Sequence, residues 1–280
     1  MMEQVTEVWF GPPHEALRPE VERYVGYRFA GFPAGLHRGL PSRHLTFIVS
    51  LAEPIEVAAM PDPTQPGGSY AAVVGGLQGA PAVVAHDGDQ VGIGVELAPT
   101  GARALFGMPA GAIASTVVEL TDLLGRGVAT LPERTAQAGT WGERFAILDE
   151  VLVASLRDRT RTPADVAWAW RRLEASGGTV PVGALARELG WSRRHFSERF
   201  RRELGLPPKV AAGVLRFDRA RWLLGRDDHP DLATVAATCG YADQSHLTRD
   251  WNRFAGCPPT VWLAEELPFV QDEPDADHGD

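Results

Sequence analysis

The sequence predicts an α+β chain. Its N-terminal domain is a small β-sheet or barrel with helices, and its C-terminal domain is all-α, two helix-turn-helix units joined by a linker helix. Three observations carry this. Runs of β-branched residues broken by Gly and Pro clusters fill much of the first hundred positions, helical periodicity takes over from Thr100, and a helical block recurs at an offset of 50–51 residues. The expected boundaries are 1–160 for the β-rich domain, 161–264 for the domain of two helix-turn-helix units and 265–280 for an acidic, disordered tail.

In chain order, His44–Leu51, Tyr70–Leu77, Ala82–His86 and Val91–Leu97 are β-branched or alternating runs and read as strands. Segments such as PDPTQPGG separate them, as turns of an antiparallel sheet or barrel require. Helical pieces follow at Ala102–Phe106 and Ser115–Leu124, then a longer one at Trp141–Leu156. There Phe145, Leu148, Leu152 and Leu156 make one stripe, expected to pack on the sheet, with a dimer seam as the alternative. Arg157–Pro163 is polar, lacks apolar periodicity and ends in proline, so it is the linker.

The repeat begins with Val182, Leu185, Ala186 and Leu189, spaced i, i+3, i+4, i+7, then Gly190 and Trp191. Leu232, Val235, Ala236 and Cys239 repeat that spacing ahead of Gly240 and Tyr241. Ser192 and Asp243 suit helix N-caps. Phe196 and Phe200 match Leu247 and Trp251, and each copy closes with glycine and two prolines (GLPPKV, GCPPTV), a stop followed by a new start. A short helix, a glycine turn and a second, outward-presented helix is the grammar of helix-turn-helix. Pro208–Gly225, with Val214, Phe217, Ala220 and Leu224 on one face, joins the copies.

The helix period then assigns the groove contacts on the recognition helices, 192–204 and 243–255. With Phe196 and Phe200 inward, the first presents Arg194, Ser197, Glu198, Arg201 and Arg202, with Arg193 at its start. With Leu247, Trp251 and Phe254 inward, the second presents Gln244, Ser245, His246, Thr248, Arg249 and Asn252. Arginine suits bidentate contact to guanine, and Ser, Thr and Asn reach phosphates or base edges. Glu198 is either an acceptor for cytosine or an ion-pair partner of Arg194, Arg201 or Arg202; the pairing is favoured. Two such helices on one linker should enter successive major grooves, about 34 Å apart.

These stretches, LARELGWSRRHFSERFRRELGLPP and AATCGYADQSHLTRDWNRFAGCPP, resemble the paired helix-turn-helix of the AraC/XylS family of bacterial transcription regulators. Gly240, Tyr241, Asp243, Gln244, Ser245, His246, Leu247, Arg249, Gly256 and Pro258 match the family's signature region, and the resemblance covers 165–264. Trp251 departs from its usual Phe but stays aromatic, and Trp191 is a wide residue before the cap Ser192. The resemblance implies Arg194, Ser197, Gln244, Ser245, Thr248 and Arg249 as groove contacts. VGIGVELAPTGARALFG (91–107) with VVELTDLLG resembles a β-rich, often cupin-like domain preceding this unit in actinobacterial regulators. A sensor or dimerisation role is thereby implied.

Composition sets the limits. The 280 residues carry 27 basic and 36 acidic side chains, a net charge of −9. The deficit is uneven: 179–264 holds 13 basic against 9 acidic residues, while 265–280 holds seven acids and no base. Basic charge therefore sits in the segment that must approach phosphate. Two cysteines without CxxC spacing, no long apolar run and no apolar leader lead us to expect a cytoplasmic, nucleoid-associated protein off the membrane. The first domain lacks cysteine and any closely spaced His pair with a carboxylate, so neither metal nor cofactor is expected. Tyr24, Tyr27, His44, Phe47, Tyr70, His86 and Glu96 are the candidates for an effector pocket. No catalytic motif occurs and no enzyme is expected. The expected partners are promoter DNA, a small-molecule effector, a second copy of the chain and, for an activator, RNA polymerase. The alternatives are a regulator controlled without ligand by abundance or a protein partner, and an enzyme with an appended helical domain.

Overall fold

The computed structural model describes residues 4–157, 161–226 and 228–265. Within these, the first part is two antiparallel sheets built from ten strands. The larger runs β1 (Val5–Gly11), β2 (Val21–Ala30), β9 (Gln90–Leu97), β4 (Thr46–Ser50), β7 (Ala72–Gly75) and β10 (Val117–Glu119). The smaller runs β3 (Gly35–Gly39), β8 (Ala82–His86), β5 (Ile55–Ala59) and β6 (Gly68–Tyr70). The helices of this part are α1 (Ala102–Phe106), α2 (Leu120–Leu124), α3 (Leu131–Gln137) and α4 (Trp141–Ser155). The predicted α+β class holds, but the sheets are larger than the four runs suggest. The Tyr70–Leu77 run is divided between β6 and β7, which belong to different sheets.

Ser115–Leu124 needs correction. It begins as strand, with Val117 opposite Gly75, and turns helical only at Leu120. The β-branched Val117 and Val118 suit a sheet edge. Glu119 then fixes the switch. Its carboxylate accepts from the amides of Ala71 and Ala72 at 3.0 and 2.9 Å and caps α2 through the amide of Leu120.

Alternation along β2 decides what covers the larger sheet. Tyr24 and Gly26 face α4, while Val25 and Tyr27 face a cavity on the other side. The indole of Trp141 lies on Gly26, where a Cβ would come within 2.3 Å of it, and Phe145 lies on Gly11 in the same way. Trp141 also stacks on Trp9, with centroids 4.4 Å apart. Thr140 and Glu143 form a capping box that starts α4, and Phe145, Leu148 and Leu152 are buried. The predicted stripe packs on the sheet.

The helical part contains α5 (Ala164–Ala175), α6 (Val182–Glu188), α7 (Arg193–Leu204), α8 (Pro208–Gly225), α9 (Leu232–Thr238), α10 (Gln244–Ala255) and α11 (Pro259–Glu265). Gly190 and Gly240 turn the chain between the paired helices at φ +68° and +74°. At Gly240 a Cβ would also strike Thr179 at 2.4 Å. Phe196, Phe200, Leu247, Trp251 and Phe254 are fully buried, each contributing on the order of 2 kcal/mol by removal from water. The α8 face Val214, Phe217, Ala220 and Leu224 is buried, and one apolar core runs from the sheets into the helices. The acidic tail beyond Glu265 lies outside the described residues, as does part of the linker, 158–160.

Candidate nucleic-acid interface and cavity

Each recognition helix starts from a side-chain cap. Ser192 Oγ accepts from the amide of His195 at 3.2 Å, and Asp243 Oδ1 from that of His246 at 2.7 Å. On α7, Arg193, Arg194, Glu198, Arg201 and Arg202 are exposed and Ser197 is half-buried. Arg194 Nε donates to Glu198 Oε1 at 2.8 Å, the i, i+4 pairing favoured from sequence. Arg193 instead folds back, its guanidinium lying over Gly183 of α6. On α10, Gln244, Ser245, Arg249 and Asn252 are exposed and Thr248 is half-buried. His246 is different. Its Nδ1 accepts from the amide of Ala242 at 3.3 Å and its ring meets Tyr241 edge-on, so it supports the turn. Trp191 packs edge-on against His195 beneath the guanidinium of Arg199.

The β-rich part grips the end of α7. Arg103 of α1 donates through Nε and a terminal nitrogen to Glu203 at 2.7 and 3.2 Å, and Glu203 is 3% exposed. Beside this pair the chain at Gly111 approaches the carbonyls of Arg201 and Arg202 so closely that a Cβ would clash at 2.3 Å. The second unit is touched at its margin, by Pro81 against Gly256 and by an ion pair of Arg38 with Glu265 at 3.1 Å.

A cavity of about 290 Å³ opens between the two sheets and reaches α8. Apolar side chains such as Val25, Phe47 and Val84 line it, with His37, Arg43, His44, Gln78 and Glu96 among its polar groups. Asp218, Arg221 and Trp222 of α8 close one wall. Of the pocket candidates, Tyr27, His44, Phe47 and Glu96 line the cavity. Tyr24 lies on the opposite face of β2 and donates to Asp149 at 2.8 Å. Tyr70 packs with Ile48 and Ile55 against a small satellite core, and the His86 ring lies 5.6 Å from that of His37. Arg43, Arg221 and Trp222 went unnoticed in the sequence; pairing and packing across distant segments bring them here.

Charge around the mouth is dense. Arg23 Nε and Nη2 both bond Glu96 Oε1, at 3.1 and 2.6 Å, and Arg43 Nη2 bonds Glu22 Oε2 at 3.1 Å. Burial alone would lower the pKa of His44, but the Glu22 carboxylate 3.0 Å away and the nearby Glu96 outweigh it and raise the pKa. Burial, reinforced by Glu22, pushes the Glu174 carboxyl of α5 up to about 7. Burial and His86 together take His37 down to about 4.

A family model described as a helix-turn-helix domain matches residues 185–265. Residues 185–265 are a helix-turn-helix domain. Over 103 residues the chain is 31% identical to the HTH-type transcriptional regulator Rv1931c of Mycobacterium tuberculosis, covering 36% of this chain and 39% of that protein. The chain thus spans well under half of that relative. The fold of both parts together resembles ToxT from Vibrio cholerae O395, with a TM-score of 0.51 at 9% identity over 88% of this chain and 98% of that one. ToxT bound to (E)-4-(8-methylnaphthalen-1-yl)but-3-enoic acid matches at 0.51 with 10% identity, over 87% and 98%. The helix-turn-helix domain is therefore joined to a β-rich part of the same architecture. Among the described residues, no helix is long and apolar enough to cross a membrane.

Proposed function

We propose that the chain is a sequence-specific DNA-binding transcription regulator whose β-rich domain, residues 1–160, holds a small-molecule effector. The observation that carries it is a pair of capped helices, α7 and α10, presenting exposed polar faces from one linker, α8. Arg194, Ser197, Arg201, Gln244, Ser245, Thr248, Arg249 and Asn252 meet base edges and phosphates, and the DNA-binding unit spans 161–264. Two grooves read by unlike helices need no palindrome. The protein works in the bacterial cytoplasm, RNA polymerase is its second partner where it activates, and no catalysis is required of it.

Effector control follows from where the cavity lies. An occupant would touch Tyr27, His44, Phe47 and Glu96 on the sheets and Arg221 and Trp222 on α8, so its affinity depends on how the two parts sit. Bound ToxT of like fold supports the reading. The purified chain should shift DNA from upstream of its own gene ahead of random DNA, with affinity falling as salt rises. Equal affinity for both would sink the DNA reading. A thermal-shift screen of small molecules on the full chain tests the cavity, and loss of the best hit's shift in Phe47→Ala and Trp222→Ala places that hit there.

A further inference from the structure

We propose that Glu22, His44 and Glu96 form a binding site for a divalent first-row transition-metal ion at the mouth of the cavity. Their donor atoms lie within 4.8 Å of one another. The sequence hid this set because its members come from β2, the segment before β4, and β9. A bulge assembles it. The β2–β9 register runs Tyr24 to Val95 and Val21 to Leu97, leaving Glu22 and Arg23 together opposite Glu96. Bulges re-aim side chains in this way. A bridge from Leu45 to Leu97 then sets His44 beside them.

The imidazole carries the second observation. The His44 side chain is 9% exposed, and its Nε2 points at Glu22 Oε2 from 3.0 Å. Although the separation is that of an ion pair, Nε2 makes no hydrogen bond of proper geometry. A buried ring nitrogen without a hydrogen bond, with two carboxylates within 4.8 Å, is a donor set that a transition-metal ion accepts. Ser42 holds the loop that aims it, exchanging bonds of 3.1 Å with the amide and carbonyl of His44.

One imidazole and two carboxylates, with no thiolate, suit Zn²⁺, Mn²⁺ or Fe²⁺ better than the all-oxygen ions Ca²⁺ and Mg²⁺. Arg23 would remain as an outer partner orienting Glu96. Arg43 must leave Glu22, and with 24% of its side chain exposed it has solvent to turn into. The site stands whether or not the chain binds DNA.

The full chain, stripped with a chelator, is titrated with Zn²⁺ and with Mn²⁺ by calorimetry, and bound metal is counted after gel filtration. One equivalent is expected, with affinity at least tenfold weaker in His44→Gln and Glu96→Gln and unchanged in His86→Gln. X-ray absorption of the zinc-loaded wild-type chain needs no variant and should show a single imidazole among oxygen donors. Absence of a stoichiometric ion, binding that survives His44→Gln, or a shell of two imidazoles (His37 with His86) overturns the proposal.

Discussion

The two helix-turn-helix units share one grammar and differ in what holds them. Each has a capped second helix, a glycine turn at positive φ and an aromatic pair on a buried face. The first is anchored to the β-rich part by the buried Arg103–Glu203 pair and the close approach at Gly111. The second is held chiefly by α8 and α11, through Phe217 and Trp262 against Trp251. Likeness in sequence therefore does not imply likeness in coupling. A change in the β-rich part reaches the first unit through this anchored contact and the second through α8 and the marginal contacts at Gly256 and Glu265.

The largest effect should come from the aromatic cores. Phe200→Ala and Trp251→Ala should each cost about 3–5 kcal/mol in denaturant unfolding. Hydrogen exchange separates them: Trp251→Ala should expose 232–265 while α7 stays protected. Simultaneous loss of protection in both units would mean that they unfold as one. Next, Arg103→Ala leaves the buried Glu203 carboxylate only the longer contact to Arg202 Nε at 3.7 Å, at a cost of roughly 3 kcal/mol. Amides of 193–204 should then exchange faster and those of 244–255 should not. Arg194→Ala and Arg249→Ala should each weaken specific DNA binding by about 1–3 kcal/mol and relax one base position, in different halves of the operator. A uniform loss on all sequences would make them phosphate contacts. The smallest effects, about 1 kcal/mol each, belong to the caps Ser192→Ala and Asp243→Ala in thermal unfolding.

Legibility followed locality. Ala82–His86, Ala102–Phe106 and Pro208–Gly225 could be bounded from sequence because their signals, β-branching, apolar spacing and flanking Gly or Pro, lie within them. β1 and β2 were missed for a physical reason. Gly11 and Gly26 blunt their pattern, yet each must be glycine because an aromatic ring of α4 lies directly on it. Likewise, 25 and 27 could not be told from 24 without knowing which face α4 covers, so Tyr24 and Tyr27 looked equivalent as pocket residues. His44 and Glu96 were marked one by one, but the bulge that gathers them with Glu22 leaves no trace in spacing.

α8 is also a lever arm. Its 18 residues make a rod of roughly 27 Å, with a helix-turn-helix unit at each end and a cavity wall at Asp218, Arg221 and Trp222. A tilt of about 5° about one end carries the other through roughly 2 Å, a large fraction of the approximately 3.4 Å between successive base pairs. A displacement of an ångström at that wall is therefore commensurate with the base-pair spacing that the proposed DNA recognition would read.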